Sequence, residues 1–228
     1  MTTFQRARSE EQRAVRRRAI LDTAAAMLAE MPVAQISLNE LSRRVGLAKS
    51  NVLRYFESRE AVLLELLDVA SQEWLGRLGD ALTTAVDAGT PYERGDQVAA
   101  TLATSLADRP ALCDLLASQA AVLEHNVSPQ VAAQYKRTAI ANATTLGRLI
   151  GEHLRELGEH DTIRLAGATF MVTGAVWTHS RPAAAMLAAY EADPSLASMR
   201  LDFTTALRET LEILIAGLLA RPSHRDEK

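Results

Sequence analysis

Twenty residues, Ser37 to Phe56, read SLNELSRRVGLAKSNVLRYF, and they constrain this chain more than any other stretch: two short helices pivot about one glycine. In Ser37-Leu38-Asn39-Glu40 the Ser37 hydroxyl is placed to accept from the backbone amide three residues on, while Glu40 is placed to reach back to the cap, a capping box. A helix is therefore expected to begin at residue 37. Leu38, Leu41 and Val45 recur at i, i+3 and i+7 as one apolar stripe, and Gly46 follows where a left-handed residue ends a helix at little cost. The chain is expected to re-enter a helix near Ala48. On that helix Val52 and Phe56 share the inward face, which leaves Lys49, Ser50, Asn51 and Arg54 to project elsewhere.

An exposed polar face is ordinarily just a solvated one. Here it coincides with two helices of about two turns, a glycine-containing turn and buried apolar positions, which together are what a helix-turn-helix requires to set its second helix in the major groove. The residue types suit that task. Arg and Lys pair with guanine O6 and N7, and Asn pairs with adenine N6 and N7.

The segment resembles the DNA-binding domain of the tetracycline-repressor (TetR) family of bacterial transcription regulators. The resemblance is carried by Val45-Gly46-Leu47-Ala48-Lys49, by Tyr55-Phe56, and by Ser58-Arg59-Glu60 leading into Ala61-Val62-Leu63-Leu64, and it covers residues 14 to 74. Two departures stand out: Ala48 occupies a position where Ser or Thr is common, and Asn51 and Arg54 fall where members vary. The resemblance implies that Ser37, Tyr55 and Arg59 touch phosphates while Lys49, Ser50, Asn51 and Arg54 face the groove. It also implies a homodimer on a palindromic double-stranded operator, and a C-terminal helical domain enclosing a small-molecule effector.

Helical signals extend over the rest of the chain. Ile20, Ala24, Met27, Leu28 and Met31 predict a first helix from Gln12 to Glu30, ended by Pro32. Ahead of that stripe lies Arg13-Ala14-Val15-Arg16-Arg17-Arg18, which with Arg6 and Arg8 forms a basic arm suited to phosphates, though Glu10 and Glu11 interrupt it. Ser58 caps a helix carrying Val62, Leu63, Leu66, Leu67, Ala70 and Trp74, expected to loosen at Gly76 and Gly79. Pro91 and Pro110 bracket another. Ser128-Pro129 opens a long one through Leu157, and further helices are expected over Thr162 to His179 and Leu201 to Leu219. No strand alternation or repeat competes. The fold class is all-α: a three-helix helix-turn-helix domain, residues 14 to 74 with the motif at 37 to 56, followed by a helical ligand-binding and dimerisation domain, residues 75 to 228.

The last two helices suit a subunit interface. Gly167, Ala168, Gly174 and Ala175 recur seven apart, and Phe203, Leu207, Leu211, Leu214 and Leu218 give a broad apolar face. Trp74, Gln119, His125, Tyr135 and Trp177 are bulky or polar groups in otherwise apolar helices, candidates to line a ligand pocket, although each also suits a satisfied core position.

Charge divides as the motif would require. Residues 1 to 60 hold 11 Lys and Arg against 7 Asp and Glu, a net of +4, whereas residues 61 to 228 hold 14 against 21, a net of −7. The positive field lies where the motif is. One cysteine, Cys113, excludes an internal disulfide and reads as a buried thiol. The charged first residues do not read as a signal peptide, and the apolar runs at Leu165 to Trp177 and Ile213 to Ala220 fall short of the roughly 20 residues a membrane span needs. A cytoplasmic protein without membrane contact is expected. Neither a Gly-x-Ser-x-Gly elbow, nor a phosphate-binding glycine loop, nor a His-Glu-x-x-His pair is present, and His125, His153, His160, His179 and His224 lack ligand spacing. No enzyme activity, cofactor or metal is expected. The competing reading is a helical ligand-binding or scaffolding protein, or an enzyme on a bundle, that keeps a non-functional helix-turn-helix.

Overall fold

In the computed structural model, which describes residues 3–221 and the side chains of residues 10–221, every regular element among the described residues is helical. The side chains of Arg6 and Arg8, and all of His224, lie outside the described residues. In chain order the α-helices are α1 (Thr3–Glu30), α2 (Leu38–Val45), α3 (Lys49–Val52), α4 (Arg59–Ala85), α5 (Pro91–Ala107), α6 (Pro110–Ser118), α7 (Pro129–His153), α8 (Glu159–His179), α9 (Ala184–Ala192) and α10 (Phe203–Leu219).

Local chemistry fixes most of these ends. Ser37, Ser58 and Ser128 each accept a hydrogen bond from the amide three residues ahead, at 3.1, 3.1 and 3.3 Å, and so cap α2, α4 and α7. Pro91, Pro110 and Pro129 open their helices, where a missing N–H costs nothing. Gly46, at φ +70°, is the one left-handed residue among those described, and it ends α2.

Several expectations are corrected. The capping box at Ser37 forms only on one side, because the Glu40 carboxylate turns to Arg43 (2.9 and 2.6 Å) and Arg44 (2.8 Å) instead of the cap amide. The reciprocal box occurs at Thr90 and Glu93. The first helix begins at Thr3 rather than Gln12. α4 does not loosen at Gly76 and Gly79; Leu75, Leu78 and Leu82 continue its buried stripe, and that packing holds the helix to Ala85. α7 stops at His153, short of Leu157. α9 is an addition, as is a π-helical turn at Gln119–Leu123.

One continuous core results, threaded by α4. Ile20, Ala24 and Met27 of α1, Leu41 of α2, Val52 and Phe56 close around the first turns of α4. Farther along, α4 packs on α7 and α5, α7 on α8, α8 on α6, and α10 on α5 and α8. Trp74, fully buried in α4, donates its indole N–H to Ser105 Oγ at 3.0 Å. Cys113 is buried as expected; burial pushes its thiol up to about 12, and its Sγ lies 3.3 Å from the Leu106 carbonyl oxygen. Gly174 is part of no free surface. A Cβ there would stand 2.9 Å from the Leu116 carbonyl oxygen, so this half of the small-residue stripe serves the contact between α8 and α6 within one chain.

Candidate nucleic-acid interface and ligand cavity

α3 is only four residues long, and its N-cap, Ala48, offers no side-chain acceptor. What orients it is burial of Val52 and Phe56 together with Arg17 of α1. The Arg17 guanidinium donates to the Tyr55 carbonyl oxygen and to Glu65 of α4, and lies 4.2 Å from the centre of the Phe56 ring. That single side chain joins three segments: α1, the end of the helix-turn-helix and the start of α4.

With Val52 inward, Lys49, Ser50, Asn51 and Arg54 are all exposed on one side of α3 and the turn after it. Neither Lys49 nor Arg54 has an ion-pair partner among the described residues, in contrast to Arg43 and Arg44, which are tied to Glu40 and Glu30. Those ties hold the Glu40 carboxyl down to about 2, first through the Arg43 hydrogen bond and then through Arg44. Arg54, Tyr55, Arg13, Arg16, Gln12, Val15 and one carboxylate, Glu11, line one groove between α1 and the turn after α3. Arg13 and Arg16 of the basic arm thus flank the candidate reading face, while Arg17 and Arg18 are used internally, on Glu65 and Asp22.

The three phosphate candidates differ in their freedom. Ser37 is exposed but its hydroxyl already caps α2. Tyr55 is half-buried, its ring packed on the core. Arg59 donates to the Ile36 carbonyl oxygen at 2.9 Å and to Glu60 at 3.0 Å, which engages most of its guanidinium inside the domain.

A second feature lies between α4, α7 and α8: a cavity of about 180 Å³ lined by Leu67, Leu116, Ala139, Ala143, Phe170 and Met171, with Asp68, Ser71, Gln119, Tyr135, Lys136 and Asn142 as polar groups. Two of the five pocket candidates, Gln119 and Tyr135, are brought together there. Trp74 sits one layer behind, edge-on to Phe170 at 5.8 Å. His125 is exposed after the π-helical turn, and Trp177 lies at the other end of α8, packed edge-on against Phe203 at 5.0 Å and under Arg181 at 3.9 Å. Burial pushes the Tyr135 hydroxyl above the ordinary phenol range. Glu124 beside the cavity is partly desolvated, which works against ionisation, yet hydrogen bonds from Lys136 and Gln119 hold its carboxyl below the usual range. Sequence reasoning missed Asp68, Asn142 and Phe170. The one available signal was a carboxylate inside an apolar run, Leu66-Leu67-Asp68-Val69-Ala70.

The two features are physically linked. α4 starts at the helix-turn-helix and supplies Leu67, Asp68 and Ser71 to the cavity. Asp114 of α6 accepts from the Val33 amide at 2.6 Å, just before α2, and Glu57 accepts from the Ser128 amide at 2.5 Å, at the cap of α7. No group of three or more His, Cys, Asp or Glu among the described residues is arranged to hold a metal, and no described helix is long and apolar enough to cross a membrane.

Comparison with known proteins places the chain in a family. A family model described as bacterial regulatory proteins, tetR family, matches residues 20–66, and one described as tetracyclin repressor-like, C-terminal domain, matches residues 70–222. The HTH-type transcriptional regulator EthR of Mycobacterium tuberculosis is 46% identical over 50 residues, 22% of this chain and 23% of that protein. The match thus spans about a quarter of the relative's length. Among solved structures, a TetR transcriptional regulator from Rhodococcus sp. RHA1 has a TM-score of 0.54 at 14% identity, covering 94% of this chain and all of that one. FadR from Bacillus subtilis, solved with stearoyl-CoA, has a TM-score of 0.54 at 15% identity, covering 87% of this chain and 97% of that one. These two likenesses show the fold.

Proposed function

The chain belongs to the TetR family of bacterial transcriptional regulators, and from that premise we propose that it is a homodimeric repressor released from its operator by a small hydrophobic ligand. Residues 14–74 are assigned to reading DNA, and residues 75–228 to ligand binding and pairing. The observation that carries the reading is the cluster of exposed Lys49, Ser50, Asn51 and Arg54 beside Arg13 and Arg16, with neither Lys49 nor Arg54 in an ion pair among the described residues and three arginines against one carboxylate, Glu11, lining the groove. Arg54, Lys49 and Asn51 would read base edges, with Ser50 beside them. Tyr55, Ser37 and Arg59, on releasing its bonds to Ile36 and Glu60, would position the helix on phosphates.

Pairing is supported by an apolar strip left outside the monomer core. Met171 (72% exposed) and Ala175 of α8 and Ile213 (73% exposed) and Gly217 of α10 lie on the outer sides of adjacent helices. Two copies joined there would form a four-helix bundle. One short recognition helix makes few base contacts, whereas two-fold pairing doubles them across half-sites about 34 to 36 Å apart. The partners are therefore a double-stranded, palindromic operator, a second copy and an effector, met in the bacterial cytoplasm.

Ligand control works through α4. A ligand filling the cavity presses on Leu67 and Ser71, and Glu65, within two turns of them on the same helix, holds the recognition helix through Arg17 and Tyr55. To turn a 99:1 preference for the DNA-competent state into 1:99, the ligand must favour the released state by about 5.5 kcal/mol.

The test is selection of bound fragments from the host's genomic DNA, followed by Arg54→Ala against the selected site. The variant should lose about 1 to 3 kcal/mol of binding while folding and pairing as before. Unchanged affinity would favour a helical ligand-binding protein with an idle helix-turn-helix.

A further inference from the structure

Four carboxylates lie around the cavity and the space beneath it, and they are not equivalent: Glu57 accepts from the Ser128 amide at 2.5 Å. Glu65 is paired with Arg17, and Glu124 with Lys136 at 2.8 Å. Asp68 has no cation. Its Oδ1 accepts from Asn142 Nδ2 at 2.9 Å and Gln72 Nε2 at 3.1 Å, and neither donor reaches Oδ2. Oδ2 is not closed off from water, so it is open to a donor that enters the cavity. Asn142 is itself buried, so the carboxylate is held in place by a fixed side chain rather than a mobile surface one.

We propose that the effector is a compact amine, about one ring in size, whose ammonium pairs with Asp68 Oδ2 while its apolar body lies among Leu67, Leu116, Ala143 and Phe170. This rests on the reading of the chain as ligand-responsive. Size argues for a small molecule: a cavity of about 180 Å³ is near the roughly 150 Å³ that accommodates a benzene ring, and below the roughly 300 Å³ at which pockets for larger ligands begin. Charge argues for a cation. Lys136 also lines the cavity, but Glu124 already neutralises it, which leaves Asp68 as the unbalanced charge on the wall. Asp68, Tyr135 and Thr138 also border the neighbouring cavity that contains Arg17, Tyr55 and Glu65. An ammonium at Asp68 therefore sits one turn of α4 from the pair that holds the recognition helix.

Calorimetric titration of the full chain with benzylamine, benzyl alcohol and benzoate tests the assignment. Benzylamine should bind at least about tenfold more tightly than benzyl alcohol, and benzoate should be the weakest. Asp68→Asn, which keeps the shape and one acceptor oxygen, should weaken benzylamine at least about tenfold and leave benzyl alcohol within about twofold. Benzoate or benzyl alcohol binding as tightly as benzylamine overturns the amine, as does an Asp68→Asn variant that melts like the parent and binds benzylamine unchanged. Ala143→Phe, which fills the cavity, separates this from the broader reading. If a neutral or anionic ring wins and is lost in Ala143→Phe, the amine is wrong and the ligand pocket stands. If no ring binds at millimolar concentration, the amine falls and so does this cavity as the effector site.

Discussion

Gly174→Ala and Gly76→Ala should change stability in opposite directions, although both replace glycine by alanine inside a helix. At Gly76 a Cβ meets nothing within 4 Å, so the substitution adds only the helix preference of alanine, a gain of about 0.5 to 1 kcal/mol. At Gly174 the new Cβ would lie 2.9 Å from Leu116 O, 3.0 Å from Leu116 C and 3.1 Å from Ala117 Cα. These are backbone atoms of α6 and cannot rotate away. α6 and α8 must move apart, and overpacking of that kind costs about 1 to 3 kcal/mol, more than the helix preference returns. The two variants should therefore differ by roughly 1 to 3 kcal/mol, and at about 2 to 4 °C per kcal/mol for a chain of this size their melting midpoints should separate by at least about 2 °C. Thermal denaturation followed by circular dichroism, with both variants at one protein concentration because pairing makes the midpoint concentration-dependent, reads the difference. Gly174→Ala melting as high as Gly76→Ala would refute the close approach of α6 to α8. The same displacement should reach the recognition domain, since Asp114 of α6 holds the Val33 amide.

Other outcomes follow from single contacts. Asp114→Ala leaves the Val33 amide without its acceptor and should lower stability by about 1 to 3 kcal/mol, read by urea denaturation; no loss would mean that water replaces the carboxylate. Ala48→Ser supplies the cap that α3 lacks and should raise stability by about 0.5 to 1 kcal/mol, with an unchanged or lower melting midpoint counting against it. Cys113 should resist thiol reagents in the native state at pH 8 and react after denaturation. Because burial raises its thiol from the usual 9 to about 12, the folded chain keeps a proton that the unfolded chain releases, so stability should fall as pH rises from 9 toward 12, less steeply in Cys113→Ala. Equal slopes in the two proteins would contradict that assignment.

Much of the fold was legible because its signals are local. Ser37, Ser58 and Ser128 act on amides three residues away, and Gly46 acts on its own φ angle. Where several local partners compete, sequence reading chose wrongly. Glu40 had a cap amide and two arginines within reach, and the arginines won. α9 escaped notice because its Ala-rich run has no buried residue and hence no apolar stripe to detect. The recognition face was readable from helical spacing alone, as Val52 and Phe56 turn inward. The cavity was not, because its walls come from helices far apart in sequence, α4, α6, α7 and α8: Asp68, Asn142 and Phe170 meet only when α4, α7 and α8 pack. Gly174 shows the same limit. A seven-residue spacing of small residues announces close packing, but it does not say whether the neighbour is α6 of the same chain or a second copy.

The most direct measurement is the mass of the complex with a selected operator, by analytical ultracentrifugation, together with the salt dependence of its affinity. Two chains per duplex are expected, protecting half-sites one helical turn apart, with affinity falling steeply as added salt opposes release of the DNA counterions that the basic side chains, Arg13 and Arg16 among them, displace. A strictly monomeric chain, or one that retards no duplex even at low salt, would contradict paired recognition helices.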